Sequence, residues 1–345
     1  MRIVHLLWGL TYGGIETMVV NIANEQSRLG HSVALVVIND DIDERLAATI
    51  DKAVDMHRIG RPLNSHNPWY IIKLNRIISR LDADFIHFHG VNIPRLVRRR
   101  YMKHWCTTHH TTWRSELGKF FSDDLHLFAI SSKAADDLRT NANVHPEVVM
   151  NGIPAGEYKQ RDNHEPDEVL RIAQIGRVNF AIKGQDITIE AVRILKERGI
   201  CVHVDFIGDA DSADAIRTMV SDLGLENEIT LRGSLPQEYL KAHLKDYDLL
   251  VQPSRIEGFG LTVAEAMAAR VPVAVSDLPP LLEVIDNGQC GIYFRNNDPA
   301  DMAKAIETSC RNYDSERVDR ACRRVMTLYD VSATARNYLR HYEKL

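Results

Sequence analysis

Short apolar runs alternate along this chain with longer segments in which apolar positions recur every three to four residues. The first cycle of the pattern places a strand at residues 3–7, a helix at residues 15–29 and a second strand at residues 32–38. A strand, a helix and a second strand in this order predict a βαβ unit, which builds a parallel sheet. Because the alternation continues towards the C-terminus, we predict an α/β protein made of doubly wound, Rossmann-like parallel sheets.

One polar stretch interrupts the alternation near the middle of the chain. Residues 159–168 lack any large apolar side chain, which is typical of a linker. A chain of 345 residues is too long for one ordinary core and suffices for two. We therefore expect a first domain over residues 1–160, a second over residues 161–328, and a terminal helix over residues 329–345.

Charge and cysteine content exclude several classes of protein. The net charge of −5 and the isoelectric point of about 6.3 give no case for a nucleic-acid partner. No C-x-x-C pair joins any of the five scattered cysteines, which predicts a reducing compartment and no structural zinc. No apolar run is long enough to cross a bilayer, so we expect a cytoplasmic protein that either is soluble or associates with the inner face of the membrane.

The stretch from Pro253 to Ala269 concentrates the candidate chemistry. An apolar strand ends at Val251, a loop with two glycines follows, and small residues then predict a buried helix. In α/β proteins a ligand binds at the carboxyl ends of the strands, where this loop lies. Glu257 lies in the loop and Glu265 near the start of the helix. Thr262 and Glu265 also fit a capping box, so a purely structural role for Glu265 stays open.

Two further strand-to-helix loops suit a phosphate. Gly13 and Gly14 come where the first strand turns into its helix, and N–H groups at a helix N-terminus attract an anion. The loop does not match G-x-G-x-x-G, which argues against a nicotinamide cofactor, and a tight turn is the alternative. In the second half, Arg177 and Lys183 place two cations on one loop. They are either diphosphate ligands or solvated surface charges.

Histidines and acids supply weaker candidates. His87 and His89 form an H-x-H pair that could hold a metal, but no third ligand accompanies them and a structural role is favoured. Residues 209–211 have D-x-D spacing and are better interpreted as a turn after a strand. His109 and His110 follow a short strand, where a histidine can donate to a phosphate or a sugar hydroxyl. We expect no metal site.

The segment from Arg95 to Lys103 is strongly basic and interleaved with apolar residues. Such a segment either lies on an anionic membrane surface or is the solvated face of a helix. If the protein touches a membrane, we expect the contact here.

These motifs together resemble one enzyme family. The string E-G-F-G-L-T-x-x-E-A-M-A from Glu257 to Ala268 closely resembles the signature of the family 4 retaining glycosyltransferases of the GT-B fold. G-G-x-E at Gly13, G-R at Gly176 and K-G at Lys183 match the same pattern. The resemblance implies two Rossmann-like domains that face each other across a cleft. It implies that the acceptor binds the first domain, that the donor binds the second, and that the terminal helix crosses back to the first.

The resemblance also implies roles for individual residues. Glu265 would accept the ribose hydroxyls of a nucleotide, Glu257 would hold hydroxyls of the donor sugar, and His109 would touch the sugar or the β-phosphate. Charge on the leaving diphosphate would be neutralised by Arg177 and Lys183, without a metal cofactor. Contacts to substrate are further expected from Gly13, Gly14, Asn151, Gly208, Gly258, Phe259, Gly260 and Leu261. Pro154 and Ala210 depart from the family pattern, which has aspartate and often glycine there. No catalytic base is nominated.

The expected function is therefore transfer of a sugar, with retention, from a UDP- or GDP-sugar to a saccharide or lipid-linked acceptor. Cell-surface polysaccharide or glycolipid synthesis is the expected setting. Two alternatives stay open: a nucleotide-sugar 2-epimerase of the same fold, and a non-catalytic protein that binds nucleotide sugars. The E-G-F-G string fits the epimerase poorly.

Overall fold

The computed structural model describes residues 1–11, 13–111, 118, 120, 126–162, 168–209 and 213–345. The chain divides into two compact units. The first comprises Met1–Pro154 and Leu328–Leu345, and the second comprises Ala155–Thr327. The division thus falls after Pro154, a little before the boundary that was expected after residue 160.

The first unit contains a parallel sheet of seven strands among its described residues. The strands are β1 (Arg2–Leu7), β2 (Ser32–Asn39), β3 (Val54–Arg61), β4 (Phe85–Phe88), β5 (His104–His109), β6 (Leu127–Ala129) and β7 (Glu147–Val148). The helices between them are α1 (Gly14–Arg28), α2 (Glu44–Ala47), α3 (Pro68–Leu81) and α4 (Ser132–Ala142). The strand order is β3-β2-β1-β4-β5-β6-β7.

The second unit repeats this architecture with six strands among its described residues. The strands are β8 (Leu170–Ile175), β9 (Val202–Ile207), β10 (Ile229–Gly233), β11 (Leu249–Gln252), β12 (Val273–Ser276) and β13 (Ile292–Phe294). The helices are α5 (Phe180–Lys183), α6 (Gln185–Glu197), α7 (Ala213–Asp222), α8 (Gln237–His243), α9 (Leu261–Ala268), α10 (Pro279–Val284), α11 (Pro299–Arg311) and α12 (Ser315–Arg324). The strand order is β10-β9-β8-β11-β12-β13.

Each sheet has one point where the direction of winding reverses. In the first unit β1 lies between β2 and β4, and in the second β8 lies between β9 and β11. The loops that leave the two central strands on either side of such a point diverge to opposite faces of the sheet. The crevice they leave at the carboxyl ends of the strands is where open α/β sheets bind ligands.

Local sequence signals explain where the helices begin. Asn67 caps α3 by accepting a hydrogen bond from the N–H of Trp69 at 3.0 Å, and Pro68 occupies the first helical position. Ser131 caps α4 through the N–H of Ala134 at 3.1 Å. The predicted helix at residues 15–29 is α1, so the apolar periodicity located it within one residue.

The last helix of the chain belongs to the first unit. A π-helical turn at Val325–Tyr329 precedes α13 (Val331–Tyr342). This helix packs against α1 and buries Tyr338 and Tyr342 in the core. The ring of Tyr342 stacks on Phe85 of β4 with centroids 4.1 Å apart. Helix α13 therefore covers one face of the first sheet.

Two sequence interpretations were wrong. Arg161, placed in a flexible linker, is buried in the second unit, where its guanidinium pairs with Asp248 at 2.5 Å and its N–H donates to Ala269. The sequence alone does not distinguish an arginine that pairs with a buried carboxylate from an arginine that is exposed to solvent. Of the two alternatives for residues 95–103, the face of a helix is wrong, because the segment forms two short 3₁₀ turns, Pro94–Leu96 and Arg99–Tyr101.

Candidate functional site

Glu257 is the acid of the loop between β11 and α9, and its carboxylate is held by three side chains. Its Oε2 accepts hydrogen bonds from Lys183 Nζ at 2.8 Å, from Gln252 Nε2 at 3.1 Å and from Ser254 Oγ at 3.2 Å. The Lys183 and Glu257 side chains are 23% and 14% exposed, so this ion pair lies at the edge of the core and remains accessible. The structure thus brings together two of the predicted site residues, which are far apart in sequence.

Glycines allow the loops around this ion pair to touch. A Cβ atom on Gly208 would lie 2.2 Å from the carbonyl oxygen of Gly176, and one on Gly184 would lie 2.2 Å from that of Pro253. Both glycines have positive φ, of +146° and +67°. The side chain of Lys183 passes within 3.6 Å of the Cβ position of Gly176. The predicted glycine Gly208 therefore has a packing role that accounts for it without a ligand.

Arg177 lies in the same connection between β8 and α6 as Lys183, with its side chain exposed, and its carbonyl accepts a hydrogen bond from Gln185 Nε2 at 3.2 Å.

Sequence reasoning missed Arg255, which comes two residues before Glu257. Its guanidinium donates to both carboxylate oxygens of Asp186, each at 2.7 Å, and to the carbonyl of Phe180. Arg255 therefore ties the Glu257 loop to the α5 turn that carries Lys183.

Glu265 is not part of a capping box. Helix α9 begins at Leu261 with Gly260 as its N-cap, so Glu265 lies beyond the first turn, and Thr262 Oγ1 instead donates to Gln252 Oε1 at 3.1 Å. Burial of the Glu265 carboxyl raises its pKa to about 7, although hydrogen bonds from Tyr158 and Gln237 favour the charged form. Gln237 Nε2 lies 3.1 Å from Glu265 Oε1 and 2.6 Å from the Tyr158 hydroxyl.

The backbone between the two acids is fixed by its own contacts. The N–H of Gly258 donates to Glu257 Oε1 at 3.2 Å, and Phe259 is buried. Gly260 adopts a φ of +108°, and a Cβ there would lie 2.7 Å from Leu281 Cδ2. Leu261, the fourth predicted contact of this loop, is the first residue of α9.

In the first unit, Gly13 and Gly14 lie where the sequence placed them. Gly14 is the first residue of α1, and Gly13 is its N-cap without a side-chain cap. The Glu16 carboxylate folds over this helix N-terminus, because its Oε2 lies 2.7 Å from the Cβ position of Gly13. A carboxylate of the chain itself thus lies where an anionic ligand was predicted.

A cavity of about 220 Å³ opens in the first unit beside the crevice between β1 and β4. Its lining combines the ends of three strands with the start of α1, and includes Trp8, Glu16, His89, Asn92, His109 and His110. His109 is buried at the end of β5, and Thr111 Oγ1 lies 3.5 Å from its Nε2. Predicted contact Asn151 is also buried, and its Oδ1 has no hydrogen-bond partner among the described residues.

The H-x-H pair has a third histidine beside it, which sequence reasoning missed. His5 of β1 is the register partner of His87, and nitrogen atoms of His5, His87 and His89 all lie within 4.8 Å of one another. Both ring nitrogens of His87 are engaged, with the Tyr342 hydroxyl at 2.6 Å and Thr108 Oγ1 at 2.7 Å. This contact set favours the structural role. The second and third residues of the D-x-D triplet, Ala210 and Asp211, lie outside the described residues.

Two family models match consecutive parts of the chain. The model described as Glycosyltransferase Family 4 matches residues 12–157, and the model described as Glycosyl transferases group 1 matches residues 157–322. The two matches follow the two units closely.

Named relatives and solved structures agree with these matches. An uncharacterized glycosyltransferase of Methanocaldococcus jannaschii is 24% identical over 339 residues, covering 86% of this chain and 84% of that protein. The GDP-mannose:cellobiosyl-diphosphopolyprenol alpha-mannosyltransferase of Xanthomonas oryzae is 25% identical over 377 residues, which cover 99% of this chain and 96% of that protein. Anabaena HepE, solved with UDP and glucose, has a TM-score of 0.82 at 17% identity, and all of each chain is covered. The predicted GT-B fold is confirmed.

Substitution of Gly184 by alanine tests whether loop contact shapes the site. The new Cβ would meet the Pro253 carbonyl, whereas Gly199 has a similar φ of +72° and nothing within 4 Å. We expect Gly199→Ala to cost about 1 kcal/mol of unfolding free energy through φ alone, and Gly184→Ala about 2 kcal/mol more. Urea unfolding of both variants measures this difference. Equal losses would show that the Gly184 turn has room for a side chain.

Proposed function

This chain belongs to glycosyltransferase family 4, and from that premise we propose that it transfers a sugar from a UDP- or GDP-sugar to a saccharide or lipid-linked acceptor with retention of configuration. The proposal rests above all on the accessible ion pair between Lys183 and Glu257 at the carboxyl ends of β8 and β11. Relatives named for GDP-mannose and a neighbour solved with UDP support both donor classes.

The ion pair suits a nucleotide-sugar donor because it offers a cation for the diphosphate and a carboxylate for the hydroxyls of the sugar. Lys183 Nζ can approach the diphosphate, whose negative charge grows as the glycosidic bond breaks, and the exposed Arg177 on the same loop can add a second cation. Glu257 can accept hydrogen bonds from hydroxyls of the donor sugar. Since Gln252 and Ser254 already hold Glu257, the carboxylate keeps its place when Lys183 turns towards phosphate.

In this proposal the new bond forms on the face of the sugar that the leaving group departs from. An acceptor hydroxyl attacks the anomeric carbon as the bond to the diphosphate breaks, and the proton of that hydroxyl passes to the departing phosphate. Positioning and charge stabilisation then supply the catalysis, so no side chain is assigned as a base.

Polysaccharide synthesis is the proposed setting, because a relative that covers nearly the whole chain is named for a lipid-linked acceptor. A nucleotide-sugar 2-epimerase is the second candidate, and a non-catalytic nucleotide-sugar-binding protein is the third. Donor turnover to an epimer without acceptor would favour the epimerase. Tight donor binding without transfer to any acceptor would favour the third.

Replacing Lys183 by alanine tests the diphosphate assignment. Removal of one preorganised positive group should lower turnover about 100-fold or more while the fold persists. Lys304→Ala is the matched control, because Lys304 is exposed on α11. Release of UDP or GDP from the sugar nucleotide measures both variants. Wild-type turnover in Lys183→Ala would remove the basis of the proposal.

The raised pKa of Glu265 predicts a pH dependence of donor binding. If its carboxylate accepts hydrogen bonds from the ribose hydroxyls, Glu265 must be ionised when the donor binds. Below about pH 7 the Glu265 carboxyl of the free protein is protonated, so binding then requires loss of that proton. Affinity for an intact nucleotide sugar, whose diphosphate does not titrate in this range, should fall about tenfold from pH 8 to pH 6.

Glu265→Gln should bind the donor more weakly and without this pH dependence, and calorimetry at several pH values measures both effects. Glu238→Gln, at an exposed position on α8, is the control. A pH profile that persists in Glu265→Gln would assign the titration to another group.

We also propose that the protein works in the cytoplasm, at the inner face of the membrane, through one surface of the first unit. The outward face of α3 exposes Trp69 (54%) and Ile72 (50%) together with Arg76 and Arg80, and the neighbouring turn exposes residues 98–100, all arginine. Interfacial aromatic residues beside cations suit anionic headgroups. Among the described residues, no helix is both long and apolar enough to span a bilayer.

Replacing Arg98, Arg99 and Arg100 by glutamine should weaken binding to vesicles that contain phosphatidylglycerol. At about 1 kcal/mol for each cation near the surface, the loss is roughly 100-fold. The same charge change at Arg295, Lys304 and Arg311 is the control, since these cations are exposed on the other unit. Co-sedimentation measures both. Equal binding by wild type and both variants would exclude this surface.

A further inference from the structure

A continuous line of hydrogen-bonded side chains runs from the core of the first unit to its cavity. Gln26 Oε1 lies 2.8 Å from His5 Nε2, His5 Nδ1 lies 2.9 Å from His89 Nε2, and His89 Nδ1 lies 3.0 Å from His110 Nε2. His89 and His110 line the cavity, whereas Gln26 and His5 are fully buried.

The three histidines are neutral at physiological pH. Burial lowers the pKa of His5 to about 4 and that of His110 to about 3, and burial with the neighbouring histidines holds that of His89 well below its usual range. A neutral imidazole has one N–H and one bare nitrogen. Each histidine therefore donates at one nitrogen and accepts at the other, and all three hydrogen bonds must point in the same direction.

Gln26 decides which direction that is. Its amide oxygen faces His5, and its buried Nε2 has no hydrogen-bond partner among the described residues. In this orientation of the amide, His5 Nε2 carries the proton and donates to Gln26 Oε1. It follows that His89 Nε2 donates to His5 and that His110 Nε2 donates to His89. The Nδ1 of His110 is then left as a bare acceptor, and this buried atom has no hydrogen-bond partner among the described residues.

We propose that His110 Nδ1 accepts a hydrogen bond from a saccharide hydroxyl in this cavity, and that Gln26, His5 and His89 are positioning residues that fix its tautomer. This inference rests on the proposed function, since it identifies the saccharide with the acceptor. A hydroxyl always has a proton to donate, whereas a carbonyl or carboxylate oxygen has none. The bare nitrogen thus takes a hydrogen-bond donor, which every saccharide hydroxyl is, and disfavours a carbonyl or carboxylate oxygen. Trp8, whose Nε1 donates to Asn92 at 2.9 Å, lines the same cavity with an aromatic ring.

The tautomer can be measured directly on the intact wild-type protein. Imidazole ¹⁵N spectra of protein labelled at histidine distinguish protonated from bare nitrogens, and the signals that vanish in His110→Gln assign His110. We expect a protonated Nε2 and a bare Nδ1 throughout pH 6–8. A proton on Nδ1, or a mixture of tautomers, would overturn the inference without any variant of the chain.

One change at Gln26 tests whether it sets the direction. Gln26→Met has a similar size but no hydrogen-bonding group, so His110 should show both tautomers. If Gln26→Met leaves a single tautomer, the positioning role of Gln26 is wrong. If Gln26→Met does not fold, Gln26→Leu is measured in the same way, and the tautomer of the wild type decides the inference in either case.

The ligand class is tested with methyl glycosides of glucose, galactose, mannose and N-acetylglucosamine at high concentration. At least one should shift the ¹⁵Nδ1 signal of His110, and no shift with any of them would contradict the inference. Donor binding is measured on the same sample by calorimetry with UDP- and GDP-sugars. Donor binding without a glycoside response would reject this inference alone, whereas a glycoside response without donor binding would reject the proposed function.

Discussion

The candidate donor site depends on loops that approach each other too closely to admit a side chain. A Cβ atom on Gly208 would lie 2.2 Å from the carbonyl oxygen of Gly176, and a Cβ atom on Gly184 would lie 2.2 Å from that of Pro253. Because those contacts hold the loops together, Lys183 can reach Glu257 at 2.8 Å while both remain accessible. Arg255 reinforces the arrangement by pairing with Asp186. The glycines therefore shape the site through the backbone, and the charged side chains supply its chemistry.

Burial then sets the protonation of the groups beside the two candidate sites. In the second unit it raises the pKa of Glu265 to about 7, and in the first unit it lowers those of His5, His89 and His110. Desolvation disfavours the charged form in each case, so the carboxyl gains a proton and the imidazoles lose theirs. Desolvation thus makes the Glu265 carboxyl titrate near neutrality and keeps the imidazoles of His5, His89 and His110 neutral there.

Much of the fold could be predicted from the sequence, because parallel strands buried on both faces are continuous apolar runs and their helices carry a regular apolar stripe. The E-G-F-G string likewise located Glu257 and Glu265. What the sequence could not reveal are partners that lie far apart in the chain. His5 and His89 are 84 positions apart, and Arg161 and Asp248 are 87 apart. The capping-box interpretation failed for a local reason, because α9 already begins at Leu261 with Gly260 as its N-cap, which places Thr262 inside the helix.

A thermal-shift series with UDP, GDP, ADP, CMP and their sugar conjugates, all with EDTA present, tests the central claim most directly. Ligand that binds only the native state raises the melting temperature by mass action. The proposed function predicts that UDP or GDP, with its sugar conjugates, stabilises the protein without added metal. Stabilisation by none of these nucleotides, or only after a divalent metal is restored, would contradict a donor site built on Lys183 and Glu257.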